Sequence, residues 1–232
     1  MAAIDPGALA TELANHGLIA RGCVDFHAEE APAGSDGRPA ACVVLVGHAG
    51  GTLWPYFSRW RAGRSASQAD PLDAWSREVL EAVAGRFGAR AVFPSDRPYL
   101  PFQQWAMRAE GLKPSPLGIL MHPEYGLWHA YRGALLFYEK LASAFAVHGG
   151  EAGAPVHLCD ACEGKPCLRA CPVAAHSIER FDYAGCVEHV RSPQGGACRS
   201  AGCLDRNACP FGVEHRYSAG QQAFHMAAFA RL

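Results

Sequence analysis

Eight of the ten cysteines lie between residues 159 and 209, and only Cys23 and Cys42 fall outside that segment. The eight form two runs, each ending in a Cys-Pro dipeptide: Cys159, Cys162, Cys167 and Cys171, then Cys186, Cys198, Cys203 and Cys209. Disulfides that stabilise a whole fold would be spread more evenly. In a reduced cytosol, clustered cysteines are more often metal ligands or catalytic thiols. The pattern therefore predicts metal binding by thiolates.

A 4Fe-4S cluster is held by four thiolates, and a compact run of three cysteines can supply three of them from one loop. In ferredoxins with two clusters, the cysteine before proline ligates the other cluster. The same crossing over predicts one cluster on Cys159, Cys162, Cys167 and Cys209 of this chain. It predicts a second cluster on Cys186, Cys198, Cys203 and Cys171. Eight thiolates thus satisfy two clusters.

The cysteine spacing is looser than in a typical bacterial ferredoxin. Four residues separate Cys162 from Cys167 where two are usual, and the second run has spacers of eleven, four and five residues. Zinc is the alternative metal, but its thiolate sites usually present two close cysteine pairs and give Cys-Pro no role. One cluster plus structural thiols is a further alternative. Cys23 and Cys42 lie in strand-like apolar runs, where we interpret them as small hydrophobic residues.

Composition limits the partners and the architecture. The chain has 232 residues, half of them apolar, which is enough for one large core or for a core and a small second domain. The net charge is -1 without runs of like charge, so nothing favours a nucleic acid or an anionic membrane as partner. No signal peptide and no apolar run of membrane-spanning length is evident. We therefore expect a cytoplasmic protein that binds neither.

Residues 1–150 alternate helical and extended patterns and predict an α+β sandwich. In the helix expected from Asp70, apolar side chains recur at helical spacing, namely Leu72, Trp75, Val79, Leu80 and Val83. The run 41–51 predicts a buried strand, and residues 117–141 predict a hairpin of two apolar strands. Residues 147–155 predict a linker to a cysteine-rich domain at 151–217.

The last segment, 218–232, predicts a helix capped by Ser218. One stripe of this helix is apolar, comprising Phe224, Ala227, Ala228, Phe229 and Leu232. Gln221 and Gln222 are expected to flank the stripe. Because a small cysteine-rich domain has few apolar residues to cover such a stripe, we expect the helix to dock on the first domain.

Three segments of the first 140 residues resemble the CblC family of cobalamin-processing proteins: "ACVVLVGHAGG", "DPLDAWSREVLEAVAGRFG" and "GILMHPEYGLWHAYRGALLF". From about residue 90 to 212, "SDRPYLPFQQWAMRAEGL", the hairpin and the cysteine runs resemble epoxyqueuosine reductase, which joins a CblC-like domain to a two-cluster ferredoxin domain. The resemblance implies a nitroreductase-like sheet-and-helix sandwich at 1–150, followed by a small bacterial-ferredoxin-like iron-sulfur domain. It also implies that a corrinoid binds over the hairpin.

A corrin ring is a large, mostly apolar disc edged with amides, so its pocket needs apolar walls, close backbone approach and a few polar groups. The hairpin segment offers these in Gly118, Leu120, Met121, His122, Tyr125, Gly126 and Trp128. The expected ligands are therefore two 4Fe-4S clusters and cobalamin or another corrinoid, with a redox protein as electron donor. No catalytic residue is assigned.

Three functions follow from these expectations. The first is a corrinoid reductase or processing chaperone that reduces cobalamin and removes its upper ligand or passes it on. The second is a tRNA-modifying enzyme like epoxyqueuosine reductase. That family has an aspartate acid where this chain has Ser95, with Asp96 one place out, and a C-terminal helical repeat that has no counterpart here. The third is an electron carrier that binds a flavin, because the fold does not fix the function.

Overall fold

The structure is a computed structural model that describes residues 4–27, 29–34, 36–65, 68–145 and 157–231. The chain is a mixed α+β protein that divides into two compact units. The first unit comprises residues 1–111 and 130–152, and the second comprises residues 112–129 and 153–232. Residues 112–129 thus belong with the cysteine runs, whereas the sequence placed them before a boundary near residue 150. The predicted linker at 147–155 lies outside the described residues.

The principal elements follow one another in chain order. They are α1 (Pro6–Ala14), β1 (Ile19–Asp25), β2 (Cys42–Ala49), α2 (Trp54–Ala62), α3 (Pro71–Phe87), β3 (Arg90–Val92), α4 (Phe102–Glu110), β4 (Lys113–Pro114), β5 (Leu120–Met121), β6 (His129–Phe137), α5 (Tyr183–Arg191), α6 (Gly196–Ala201), α7 (Leu204–Asn207) and α8 (Ala219–Ala230). Short 3-10 turns include Ala142–Ala144 and Pro166–Leu168. Among the described residues, no helix is both long and apolar enough to cross a membrane.

The first unit is built on a four-stranded sheet in the order β1-β2-β6-β3. Strand β1 pairs antiparallel with β2, and β3 pairs antiparallel with β6. Every residue of β2 is buried, as expected of an interior strand rich in valine. Helix α3 buries the stripe that the sequence predicted, comprising Leu72, Trp75, Val79, Leu80 and Val83. The predicted strand at 41–51 and the predicted helix from Asp70 are therefore confirmed.

The predicted hairpin of two paired apolar strands at 117–141 is wrong. Strand β5 pairs with β4 in a separate two-stranded sheet, while β6 lies between β2 and β3 in the main sheet. Between them the chain turns on a bridge from His122 to Gly126. The reason is packing, because Met121 of β5 is buried against cysteines of the second unit.

In the second unit, short helices and turns carry the cysteines, and α8 packs on α5 and α6. Ser218 caps α8 through its side chain, as predicted. The buried face of α8 differs from the predicted stripe, because Gln221, Gln222 and Ala230 are buried and Ala228 is exposed. Leu232 lies outside the described residues. The cysteine-bearing helices thus cover part of α8, which the sequence argument did not anticipate, and docking on the first unit stays a prediction.

Candidate metal centres

Four thiols from two distant stretches of the second unit line one cavity. They belong to Cys159, Cys162, Cys167 and Cys209. The cavity is closed by apolar side chains, among them Met121 and Leu127, which pack against Cys159 and Cys209. Three of the thiols therefore come from the first cysteine run, and the fourth is the Cys-Pro cysteine of the second run.

Tight turns present the first three thiols to this cavity. Asp160 N donates to His157 O at 2.8 Å, so the chain turns at Cys159. Gly164 and Lys165 both have positive φ, of 71° and 42°, and deliver the chain into the 3-10 turn that holds Cys167. The Lys165 ammonium group donates to the backbone carbonyl of Cys159. The four residues between Cys162 and Cys167 are thus used for a left-handed turn, and they are the bulge that the loose spacing requires.

The other four thiols form a second group in the same unit. Its members are Cys171, Cys186, Cys198 and Cys203. Helix α5 carries Cys186, α6 carries Cys198, and Cys203 immediately precedes α7. Cys171 comes from the Cys-Pro end of the first run, and its thiol accepts a hydrogen bond from Ala175 N at 3.4 Å. Each group therefore takes three thiols from one run and the Cys-Pro thiol from the other. This is the grouping expected from crossing over, and metal binding by it stays a prediction.

Burial raises the pKa of six of these thiols above that of an ordinary cysteine, namely Cys159, Cys167, Cys186, Cys198, Cys203 and Cys209. Burial, and then the charges of Cys209 and Cys167, raise the pKa of Cys159 to about 11. Burial and the neighbouring Cys203 and Cys171 raise the pKa of Cys186 to about 11. Thiolates close together repel one another, so in the absence of a cation these six thiols stay protonated at neutral pH. A metal bound by these thiols must therefore displace their protons.

The distances between thiols bear on the kind of metal. Among the described residues, one set of three possible ligands has all its ligand atoms within 4.8 Å of one another, and it is Cys23, Asp25 and Cys42. In neither of the two larger groups do three thiols all lie within 4.8 Å of one another. Around one zinc ion, four sulfurs at about 2.3 Å lie only about 3.8 Å apart. None of the ten cysteines, all of which are described, forms a disulfide.

A buried carboxylate lies beside both thiol groups. Asp205 is fully buried, and its charge acts on Cys167 of the first group and on Cys198 and Cys203 of the second. Its Oδ1 accepts a hydrogen bond from Ala170 N at 3.1 Å. The sequence analysis missed Asp205. Its position between Cys203 and Cys209 was visible, but no pattern distinguished it from a surface aspartate.

A stack of aromatic and cationic side chains lies under the turn that follows β5. Arg206 sits over the rings of both Trp128 and Tyr217, at 4.5 and 4.7 Å from the ring centroids. Its guanidinium group also donates to Leu127 O. Sequence reasoning missed Arg206 as well. Through Arg206, these contacts attach residues 127 and 128 to α7, the helix that lies between Cys203 and Cys209 in the sequence.

The predicted cobalamin-binding residues, Gly118, Leu120, Met121, His122, Tyr125, Gly126 and Trp128, all lie in the second unit. Leu120, Met121 and Trp128 are buried. The His122 and Tyr125 rings stack on each other at 4.1 Å. Position 126 requires glycine, because its φ is 56° and because a Cβ there would overlap the carbonyl oxygen of Phe211. Met121 packs in one apolar cluster with Cys159 and Cys209, and corrinoid binding by this segment stays a prediction.

Two other expectations fall in the first unit. Asp96, one place from the acid position of epoxyqueuosine reductase, accepts hydrogen bonds from Arg77 and from Phe93 N. Its carboxylate therefore fastens the loop after β3 to α3. The sequence resemblance would put Ser95 at the acid position, and a serine hydroxyl cannot replace a carboxylic acid as a proton donor at neutral pH.

In comparisons with known proteins, neither a protein-family model nor a curated protein matches the chain.

Proposed function

We propose that the chain is an iron-sulfur protein that binds two 4Fe-4S clusters, one in each thiol group. The observation that carries the proposal is the division of eight thiols into two sets of four, each drawn from both cysteine runs. The donor chemistry fits, because a 4Fe-4S cluster takes four thiolates. Buried apolar walls around Cys159 and Cys209 also fit, since they limit the access of water to such a cluster.

The wider spread of the thiols favours a cluster over a single zinc ion in each group. The four sulfurs of a site with one zinc ion must lie within about 4 Å of one another. In a 4Fe-4S cluster each thiolate binds a different iron, so the four sulfurs lie further apart. In a two-cluster protein, the cysteine before proline in each run ligates the cluster of the other run. Two separate zinc sites give such an exchange of cysteines no role.

We further propose cobalamin or a related corrinoid as the substrate, on the basis of the resemblance to CblC proteins and epoxyqueuosine reductase. When bound, the clusters would supply single electrons for reducing the corrinoid cobalt, which weakens the bond to its upper ligand. The chain would thus act as a cytoplasmic corrinoid reductase or processing chaperone that receives electrons from a donor protein. Its own residues would hold the clusters in a buried, thiol-lined setting and keep water from them.

The test uses the full chain reconstituted anaerobically with iron and sulfide. Dithionite-reduced protein is mixed with cyanocobalamin, and cobalt reduction is followed by the change in the visible spectrum. We expect stoichiometric reduction by the wild-type chain. The control is Glu179→Gln, which alters an exposed residue of the same unit. The matched variant is Cys186→Ser, which should bind fewer irons and reduce less cobalamin.

Two results would oppose different parts of the proposal. A fully loaded protein that neither binds nor reduces cobalamin would refute the corrinoid assignment and leave the clusters standing. A yellow, iron-free protein with the absorption of a flavin would instead support the flavin-linked alternative.

A further inference from the structure

Outside the two large thiol groups, the first unit brings an aspartate together with the two cysteines that the sequence analysis interpreted as small hydrophobic residues. Cys23 and Asp25 lie on β1, and Cys42 is the first residue of β2. Their ligand atoms all lie within 4.8 Å of one another. Cys42 is fully buried, and the other two are half-buried.

The register of the sheet explains why these side chains meet. Asp25 pairs directly with Cys42, and Cys23 pairs with Val44. Side chains of paired residues share a face of the sheet, and so do residues two apart on one strand. Cys23, Asp25 and Cys42 therefore all project from the same face, and β1 is an edge strand of the sheet.

Hydrogen bonds hold the carboxylate of Asp25 in place. Oδ1 of Asp25 accepts hydrogen bonds from Leu141 N at 3.0 Å and from Ala142 N at 3.1 Å. These bonds fix the orientation of the carboxylate, which supports a ligand as an outer-shell contact does in known metal sites.

We propose that Cys23, Asp25 and Cys42 form a binding site for one thiophilic divalent cation of the zinc class. Two thiolates and one carboxylate are ligands that zinc accepts, and three protein ligands leave a fourth position for water or a small molecule. The hard carboxylate oxygen disfavours copper(I), which prefers sulfur alone. The site is independent of the proposed clusters and does not rest on the proposed function.

Zinc binding at this site exchanges two protons for one metal ion. Two sulfur–zinc bonds and one oxygen–zinc bond form, each thiol gives its proton to solvent, and no electron is transferred. A disulfide between the two cysteines is the competing use of the site. Cys23 and Cys42 are diagonal rather than directly paired neighbours. Diagonal neighbours have Cα atoms about 7–8 Å apart, beyond the usual span of a disulfide of about 4.4–6.8 Å.

The test uses the anaerobically prepared full chain with its iron content measured, stripped with a chelator and then given one equivalent of zinc chloride. Metal analysis after desalting should find about one zinc per chain, with the iron content unchanged. X-ray absorption at the zinc edge should show two sulfur ligands at about 2.3 Å, the remaining ligands being oxygen. This spectrum is insensitive to iron, so the proposed clusters do not obscure it.

Three variants and one control identify the ligands. Cys23→Ala and Cys42→Ala should abolish zinc retention. Asp25→Asn keeps an oxygen for the two backbone donors, so the variant should fold normally. Its zinc affinity should fall at least about tenfold, because even the loss of an outer-shell partner lowers metal affinity by about that factor and Asp25 is proposed as a direct ligand. Asp70→Asn, at an exposed aspartate of the same unit, should bind like the wild type.

Several results would overturn the proposal. One is zinc surrounded by four sulfurs and retained by Cys42→Ala, because the ion would then occupy one of the larger thiol groups. Another is the absence of bound zinc in the wild-type chain while the protein remains folded by circular dichroism. A third is a peptide mass that shows a Cys23–Cys42 disulfide in anaerobically purified protein.

Discussion

His176 and Asp205 form a hydrogen bond between Nδ1 and Oδ2 at 2.9 Å, and the aspartate is fully buried with its charge acting on thiols of both groups. The His176 ring also stacks on Phe181 at 4.5 Å. The imidazole is therefore held in one orientation, and it provides the buried carboxylate with a partner. A buried negative charge beside both groups acts against the further negative charge that a cluster gains on reduction.

The first prediction concerns this charge. Asp205→Asn keeps an oxygen for Ala170 N but removes the charge, so it should raise the reduction potentials of both proposed clusters by on the order of 50 mV. Anaerobic redox titration followed by electron paramagnetic resonance measures both potentials. Glu179→Gln, which removes an exposed charge, should shift them far less because solvent screens it. Equal shifts in the two variants would show that Asp205 has no special role.

The second prediction concerns α8. Ala230 is fully buried with Val190 and Cys198, and its carbonyl accepts a hydrogen bond from Arg191. Ala230→Asp would place a charge in this contact, so we expect it to displace α8 and to lose about half of the bound iron, that of the Cys198 group. Iron analysis tests this expectation. Ala228→Asp, on the exposed side of the same helix, is the control and should retain all its iron.

An intact iron content in Ala230→Asp would show that α8 is not needed to hold the second thiol group. Since α8 packs on the helices that carry Cys186 and Cys198, deletion of 219–232 should also make the second thiol group labile.

The third prediction concerns the first unit. Arg21 and Glu110 form a buried ion pair with two hydrogen bonds, of 3.0 and 2.7 Å. Arg21→Met would leave the carboxylate without its cation and should lower the free energy of unfolding by about 3 kcal/mol. Arg108→Met breaks the exposed pair with Glu30 and should lower the free energy of unfolding far less, because solvent screens this pair. Urea denaturation followed by tryptophan fluorescence measures both, and similar losses would contradict the distinction.

Much of the first unit could be predicted because its patterns are local. The valine-rich run of β2 and the helical spacing from Leu72 to Val83 each indicate one structure, and the fold agrees with both. The hairpin failed for a non-local reason. A continuous apolar run cannot show that Met121 packs against Cys159 and Cys209 rather than against the following strand.

The candidate sites show the same limit. Repeated Cys-Pro dipeptides indicated how the thiols would divide, because that signal lies in the spacing of one residue type. Asp205 could not be found in this way, because its burial depends on how α7 packs. Cys23 and Cys42 were interpreted as hydrophobic residues, because their proximity to Asp25 arises only from the pairing of β1 with β2.

The central claim is that two clusters bind and that the Cys-Pro cysteines cross over between them. The wild-type chain should contain close to eight irons and eight acid-labile sulfides after anaerobic reconstitution. Four irons and one zinc would contradict the two-cluster assignment. The more incisive measurement is the iron content of two double variants, because it tests cluster number and ligand partition together.

Cys159→Ser/Cys209→Ser removes two thiols of one proposed cluster, so about four irons should remain. Cys159→Ser/Cys171→Ser removes one thiol from each cluster, so almost none should remain, provided that each cluster needs all four thiolates. Both variants change two cysteines to serine, which makes each the control for the other. The reverse result, four irons in Cys159→Ser/Cys171→Ser and almost none in Cys159→Ser/Cys209→Ser, would show that each run binds its own cluster and would contradict the account.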